Sequence, residues 1–387
     1  MIQKLITVDE ALALLDEHRP DWGEDSVALS EANGCIFAQD IIAPTAHPAH
    51  PMSVMDGYAL RQSDRENNLT VIGESRAGVP FEGNLNPNEA VRIFTGALIP
   101  SGADQVEIQE NAKVNKDSTV SFPFPRSNRI YIRPAGADFK TGDVLFREGE
   151  RITPDKILAL ATCNLTEVSV KKMPTIGLLS SGDELKPVGS NLKPGEIINS
   201  ILPALTARLN QWGLKVIDLG IARDDPNIIR QKFENCEADI IVPIGAASVG
   251  DYDLMKPTAL ELGYTPAFSK VAVKPGKPVW FSKRGEQRIL GLPGNPSSAW
   301  VTTHIFLYYL IFGQLPWRKA KLAEIVSQNG PRETYLRARI LPDGKVSTLH
   351  RQDSGLVTPL AKADCLLKRP SNGPALKEDE VVDILVF

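Results

Sequence analysis

Apolar positions change rhythm several times along this chain, and each rhythm predicts a different kind of element. Near the start, Thr7-Val-Asp-Glu10 leads into apolar residues running through Leu15. The threonine hydroxyl and glutamate carboxylate are spaced to satisfy the free N–H groups of a helix start, so a helix is expected there. From about residue 43 to 134 the texture shifts to short β-type runs, such as 69–72 and 91–94, broken by Gly, Pro and Asn; this predicts a β-rich insertion. Helical spacing returns over 154–162, and that helix is expected to pack on the N-terminal one. Between 175 and 312 the apolar runs 175–179, 214–219 and 240–244 alternate with helix-length segments, the pattern of an α/β unit with a parallel sheet. Asn199 or Ser200 suits the cap of its first helix, Pro203 the first turn and Gly213 the end. The apolar stretch 299–312 is about 14 residues, too short to cross a bilayer, and reads as core or dimer interface. After Pro316 short strands and turns (337–341, 342–345, 381–386) predict a small β barrel or sandwich.

Composition narrows the class. A length of 387 residues allows two to four domains with their own cores. With 42% apolar and 23% charged residues the chain is ordinary globular material. Forty-three Lys plus Arg against 47 Asp plus Glu give a formal charge of −4, which offers no bulk attraction for nucleic acid. Cys35, Cys163, Cys236 and Cys365 stand singly, as buried thiols do in a reducing compartment. The sequence opens directly into a helical pattern without a signal-peptide core and has no 18-residue apolar run. The expectation is a cytoplasmic protein with a small-molecule partner, no nucleic acid and no membrane.

Candidate chemistry follows from where strands end. In open parallel sheets the loops beyond the carboxyl ends converge with helix N-termini and free amide donors. Four such loops occur here: Ser180-Ser-Gly-Asp-Glu184, Arg223-Asp-Asp225, Gly245-Ala-Ala-Ser-Val-Gly250 followed by Asp251 and Asp253, and Pro293-Gly-Asn-Pro296. They combine turns that let backbone approach phosphate with carboxylates that suit a hard cation, so a nucleotide-like phosphate with Mg²⁺ fits both. Taken singly each has a plainer reading: Ser-Gly-Asp-Glu as a turn, Asp224-Asp225-Pro226 as a helix cap. Lys270, Lys274 and Lys277 surround the turn Lys274-Pro-Gly-Lys-Pro278, where prolines fix the loop. At about 4 Å and an effective dielectric near 20, each unit-charge pair is worth about 4 kcal/mol before desolvation. The pair His47 and His50 lies in a proline-rich stretch and reads as loop. No P-loop, H-E-x-x-H, G-x-S-x-G or G-x-G-x-x-G motif is present.

Six motifs in order resemble the MoeA and gephyrin E-domain family of molybdopterin molybdenumtransferases: Ser53-Val-Met-Asp-Gly-Tyr-Ala59, Thr95-Gly-Ala97, Ser181-Gly-Asp-Glu-Leu185, Ser248-Val-Gly250, Lys274-Pro-Gly-Lys-Pro278 and Gly291-Leu-Pro-Gly-Asn-Pro296. The resemblance implies a multidomain α/β protein. Its expected parts are an elongated discontinuous α+β domain (1–43 plus 137–172), a β-rich insertion (44–136), a molybdopterin-binding domain with a doubly wound parallel sheet (173–317) and a C-terminal β barrel (318–387). It further implies a homodimer, and insertion of molybdenum from molybdate into the dithiolene of adenylyl-molybdopterin with Mg²⁺-dependent release of AMP. An adenylyltransferase of the same pathway would supply the substrate. Carried over by position, Asp56, Asp138, Glu184, Asp224, Asp253, Lys270 and Lys274 are the expected catalytic residues. Thr95, Ser181, Gly182, Asp183, Gly245, Ser248, Gly250, Lys277, Pro293, Gly294, Asn295 and Pro296 are expected to bind the pterin substrate. Glu184, Asp224 and Asp253 are expected to hold Mg²⁺.

The chain departs from the family pattern at Ala246, where a glycine is usual, at Asn199 and Ile201 in place of Asp and Asn, at Ala137, at Leu98, and at Glu107, where an apolar strand residue is usual. A paralogue that binds molybdopterin or acts as a scaffold without catalysis is therefore the alternative. A nucleotide-cleaving enzyme sharing only the α/β domain is a third, opposed by the Met-Asp-Gly-Tyr segment and the C-terminal β module.

Overall fold

Thr7 caps helix α1 (Val8–Glu17): its hydroxyl accepts from Glu10 N–H at 3.1 Å while the Glu10 carboxylate accepts from Thr7 N–H at 2.7 Å. The expected capping box is thus present. The computed structural model describes residues 5–125, 129–245 and 254–387, divided into one unit of 24–171 and another of 1–23 with 172–387.

In the first unit, strand Glu24–Ala28 pairs antiparallel with Glu167–Lys171. Helix α2 (Pro154–Thr162), with proline in its first turn, buries Leu160 beside Phe37, Ile152, Val168 and Val170. Between these chain segments lies a six-stranded sheet ordered Gln105–Ile108, Gly57–Leu60, Glu89–Ile93, Leu69–Ser75, Thr119–Ser121, Lys113–Val114. Both runs expected as strands from their β-branched residues lie in it.

The second unit is built on a sheet of β1 (Ile176–Ser181), β2 (Val216–Ala222), β3 (Ile240–Ile244), β4 (Thr265–Phe268), β5 (Trp280–Arg284) and β6 (Gln287–Gly291), in the order β2-β1-β3-β6-β5-β4. The first four of that order are parallel; β5 and β4 form an antiparallel edge. Every residue of β3 is buried, as a parallel strand covered on both faces requires. Alternate residues divide between two cores. Ile176, Leu178, Ile240 and Val242 join Leu205 and Leu209 of α3 (Ile201–Gln211), whereas Leu179 and Ile241 join Ile229 and Phe233 of α4 (Pro226–Glu234) and Met255 of α5 (Met255–Glu261).

Val8, Ala11 and Leu15 of α1 belong to the first of these cores. The expected packing of α1 on α2 is therefore corrected: α1 covers the α/β sheet, where its apolar stripe meets a larger buried surface, and α2 is buried among residues of its own unit. The stretch after Asn295 is α6 (Pro296–Thr302), a π turn (Thr303–Leu307) and a final helical turn, and its apolar residues are core. No helix among the described residues is long and apolar enough to cross a membrane.

At the free edge of the sheet β2 is bulged. Its register to β1 shifts around Gly220, which has φ +77° and donates its N–H to the Asp218 carboxylate at 2.7 Å. The C-terminal segment forms another sheet, ordered Val273–Lys274, Glu333–Ile340, Cys365–Arg369, Val381–Val386, Trp317–Lys321, around Leu322, Val346, Leu367 and Ile384. Its first member is part of the lysine turn: Lys274 lies opposite Thr334.

Candidate active site

Strand β1 ends at Ser181, and the next three residues bend sharply. Gly182 has φ +148°, and a Cβ there would sit 2.5 Å from the Glu184 carboxylate. The missing side chain is what lets that carboxylate fold back over the bend. Gly245, at the end of β3, has φ +91°, and a Cβ would meet the Ser181 carbonyl oxygen at 2.6 Å. An added Cβ at Gly294 would in turn lie 3.2 Å from Gly245 Cα. Three of the four expected loops therefore touch backbone to backbone. The fourth joins through side chains: Ser181 Oγ donates to Asp224 Oδ1 at 2.8 Å, and Asp224 N–H donates to Asp183 Oδ1 at 3.4 Å. The neighbouring acid does the structural work, since Asp225 caps α4 by accepting from Asn227 N–H at 2.8 Å. Two adjacent aspartates thus separate into a rim residue and a cap.

Three of these loops line a cleft of about 440 Å³, with Ser181, Glu184, Gly245, Pro293, Gly294, Asn295 and Pro296 among its residues and Glu184 its one carboxylate among the described residues. Asn199, one of the departures, is buried in its wall and donates from Nδ2 to Ser180 Oγ at 2.9 Å, while its Oδ1 accepts from Leu202 N–H at 3.4 Å. It pins the end of β1 to α3.

Beside this cleft lies a second of about 590 Å³, lined by Lys274, Lys277, Arg332, Thr334, Gln352 and Ser354, among others. Pro278 and Ser298 line both, so the lysine turn and the acidic bend share one edge of the sheet. Lys270 lines neither cleft; its carbonyl accepts from Ile6 N–H at 3.3 Å. Thr334 of the C-terminal sheet and the loop residues Arg332, Gln352 and Ser354 beside it were not foreseen. No local motif marks them, and beside a strand they read as a solvated edge. Gln352 is held by Arg337, which is 1% exposed, donates from its backbone N–H and Nε to Gln352 Oε1 at 3.0 and 3.2 Å, and also donates to Ser297 Oγ at 2.6 Å and to the Asp353 carbonyl at 2.9 Å.

Ala246, Ser248, Gly250 and Asp253 lie outside the described residues. Mg²⁺ takes oxygen ligands, commonly one or two carboxylates completed by water and substrate phosphate. Glu184 and Asp224 supply that donor type. Among the described residues no three acidic, histidine or cysteine side chains cluster as a ready-made cage. The donor set suits a cation shared with a phosphate.

The remaining candidates fall in the other unit. Thr95 donates to Asp56 Oδ1 from its N–H at 2.7 Å and its hydroxyl at 2.8 Å. These bonds, with Arg92 nearby, hold the Asp56 carboxyl below its usual range. Asp138 is exposed, donates its N–H to the His47 carbonyl, and adds to the burial that pushes the Cys163 thiol up. Glu107 is fully buried and paired with buried Arg65, Nε to Oε1 at 2.7 Å. An acid at that strand position is explained by its partner.

Models for the MoeA N-terminal region (domains I and II), a probable molybdopterin-binding domain and the MoeA C-terminal region (domain IV) match residues 6–164, 177–312 and 319–387. The chain belongs to the MoeA family. Relatives named molybdopterin molybdenumtransferase include one from Haemophilus influenzae, 38% identical over 81% of this chain and 80% of its own. Another, from Staphylococcus aureus, is 30% identical over 98% of this chain and 95% of its own. Among solved structures, a molybdopterin biosynthesis MoeA protein from Pyrococcus horikoshii superposes with TM-scores of 0.85 and 0.83 at 27% and 26% identity, covering 99% of this chain and 99% and 100% of its own. The MoeA arrangement therefore extends through the whole multidomain α/β chain, insertion and C-terminal module included.

Proposed function

We propose that this transferase inserts molybdenum from molybdate into the dithiolene of adenylyl-molybdopterin, releasing AMP with the help of Mg²⁺. The observation that carries the reading is the shared edge: the cleft that holds Glu184 and the lysine-bearing cleft meet at Pro278 and Ser298. A tetrahedral dianion has to approach two thiolates beside a pyrophosphate, and like charges oppose that encounter unless cations stand between them. Lys274 and Lys277 supply fixed positive charge on one side. On the other, Glu184 and Asp224, with Asp253 as the third expected ligand, would hold Mg²⁺. When bound, Mg²⁺ would neutralise charge developing on the bridging phosphate oxygens. Ser181 donates to Asp224 and so fixes that carboxylate beside the bend, and the turn at Gly182 leaves room for Glu184. Asp56, Thr95 and Asp138 are read as residues that complete the site, with the protein working as a cytoplasmic homodimer that takes its substrate from an adenylyltransferase.

The test is purified protein with adenylyl-molybdopterin, molybdate and Mg²⁺, followed for AMP and active cofactor. The wild type should release AMP, and Lys274→Ala should lower kcat/KM about a hundredfold, close to 3 kcal/mol of transition-state stabilisation, with the melting temperature kept. Tight binding without AMP would instead make the protein a scaffold. Equal losses of activity and melting temperature in Lys274→Ala would reduce the turn to a structural part.

A further inference from the structure

Glu184 is the only charged side chain among the described residues that line its cleft. The other polar side chains there are neutral, among them the hydroxyls of Ser181, Ser200 and Ser298 and the carboxamides of Asn199 and Asn295. Asn199 is tied to Glu184 through one backbone ladder. Ile197 N–H donates to the Glu184 carbonyl at 2.9 Å, Leu185–Lys186 pairs in parallel with Ile197–Ile198, and Asn199 N–H donates to the Lys186 carbonyl at 2.8 Å. The Asn199 side chain is also fixed, since the residue is 6% exposed and its partners decide its orientation. Leu202 N–H can only donate, so the atom facing it is the carboxamide oxygen, which leaves Nδ2 to face Ser180 Oγ. Ser180 is itself fully buried and paired to a strand on each side, opposite Ile221 of β2 and Ile244 of β3.

A hydroxyl can donate as well as accept. A carboxylate at position 199 would therefore still be bonded by Ser180 and by Leu202 N–H, so the hydrogen bonds of the fold leave the choice between amide and acid open. What that choice alters is charge. Mg²⁺ sheds water reluctantly and is usually held by one or two carboxylates together with phosphate oxygens. Among the described residues, Glu184 in the lining and Asp224 beside the bend leave most of the octahedral positions of such an ion to water and phosphate. A further acid at 199 would help hold the ion without phosphate and would repel a bare phosphate from the same wall. We infer that Asn199 is a specificity-determining residue: its uncharged side chain makes the cleft a phosphate receptor that acquires its metal together with the phosphate, rather than a standing metal site. The inference rests on the proposed reading of this cleft.

The probes are Mn²⁺, an octahedral oxygen-seeking ion followed by electron paramagnetic resonance, and inorganic phosphate followed by calorimetry, each titrated alone into the full-length protein. The wild type should take up phosphate without metal and hold Mn²⁺ only at millimolar concentrations. Asn199→Asp should bind Mn²⁺ alone at least about tenfold more tightly and phosphate alone about tenfold more weakly, with the melting temperature kept. Opposite signs separate charge from structure, because a damaged wall weakens both ligands. Asn199→Ala loses the Ser180 contact without adding charge, and should leave Mn²⁺ as weakly held as in the wild type. The inference is overturned if the wild type takes up no phosphate without metal or binds Mn²⁺ alone as tightly as Asn199→Asp. It is equally overturned if Asn199→Asp leaves either affinity unchanged or moves both in one direction, or if Asn199→Ala reproduces the gain in Mn²⁺. Failure of the underlying reaction shows separately, as a wild type that releases no AMP from adenylyl-molybdopterin and molybdate with Mg²⁺ present.

Discussion

Two titratable side chains, one in each unit, are buried on opposite terms. In the β-rich insertion Glu107 and Arg65 are kept as an ion pair inside the protein, with Arg65 also donating to the Phe124 carbonyl at 3.0 Å and Glu107 Oε2 left without a hydrogen-bond partner among the described residues. Burial opposes the Arg65 charge, but Glu107 and Glu66 outweigh it and hold its pKa above the usual value. In the α/β unit His304 is buried in the π turn among Trp212, Trp300 and Phe387, and its Nδ1 lies 2.8 Å from the Trp300 carbonyl. No carboxylate among the described residues offsets the desolvation, which, with the Arg208 charge adding to it, lowers its pKa from 6.5 to about 3. The Glu107–Arg65 site is therefore sensitive to losing a partner and the His304 site to losing neutrality.

Removing the partner should give the largest effect. Arg65→Met leaves Glu107 buried and unpaired, and should cost about 3–5 kcal/mol in denaturant unfolding. Arg65→Met combined with Glu107→Leu should recover most of that, because an apolar pair of similar volume needs no charge compensation. If the double variant is as unstable as the single one, the pair is needed for something other than its own neutrality.

Acid tests the other half of the contrast. Because the folded pKa of His304 lies below the unfolded value, the unfolded chain binds the proton first, so stability falls as pH drops from about 6.5 toward 3. Between pH 7 and pH 5 this one residue should remove about 2 kcal/mol. His304→Gln should flatten that slope in denaturant titrations; an unchanged slope would place the acid sensitivity elsewhere.

The smallest expected effect belongs to Asp56, a half-buried acid held by hydrogen bonds. A depressed carboxyl contributes above its unfolded pKa and is lost only as pH falls through the lower folded value, so the Thr95 contact should survive down through the ordinary carboxylate range. Asp56→Asn should leave the melting temperature within about 2 °C at pH 7 and remove this low-pH step from the Thr95 amide resonance. A large destabilisation would make the turn structural.

What could be read in advance follows the same division. Periodicity located β1, β2 and β3 because buried parallel strands are continuous apolar runs, and strand ends then located Ser181, Asp183, Glu184 and Asp224 without any ligand in view. Asp56 and Thr95 had no such rule behind them; a β insertion has no privileged end, and only the motif resemblance marked them. Glu107 looked like a defect since its partner, Arg65, is 42 residues away in sequence. The packing of α1 was misread because amphipathic spacing tells that a helix is covered on one side and not by what. Arg332, Gln352 and Ser354 were silent for a related reason: they reach the lysine turn only because Lys274 itself joins the C-terminal sheet opposite Thr334.

The bulge in β2 has a bearing on solubility. A straight, unclothed border strand is a template on which another polypeptide can stack, and crowded chains exploit such templates to form fibres. Here the kink at Gly220, with Asp218 already occupying the exposed amide, breaks the regular spacing a newcomer would need. The molecule can leave that flank bare without offering a ladder for strand-by-strand stacking.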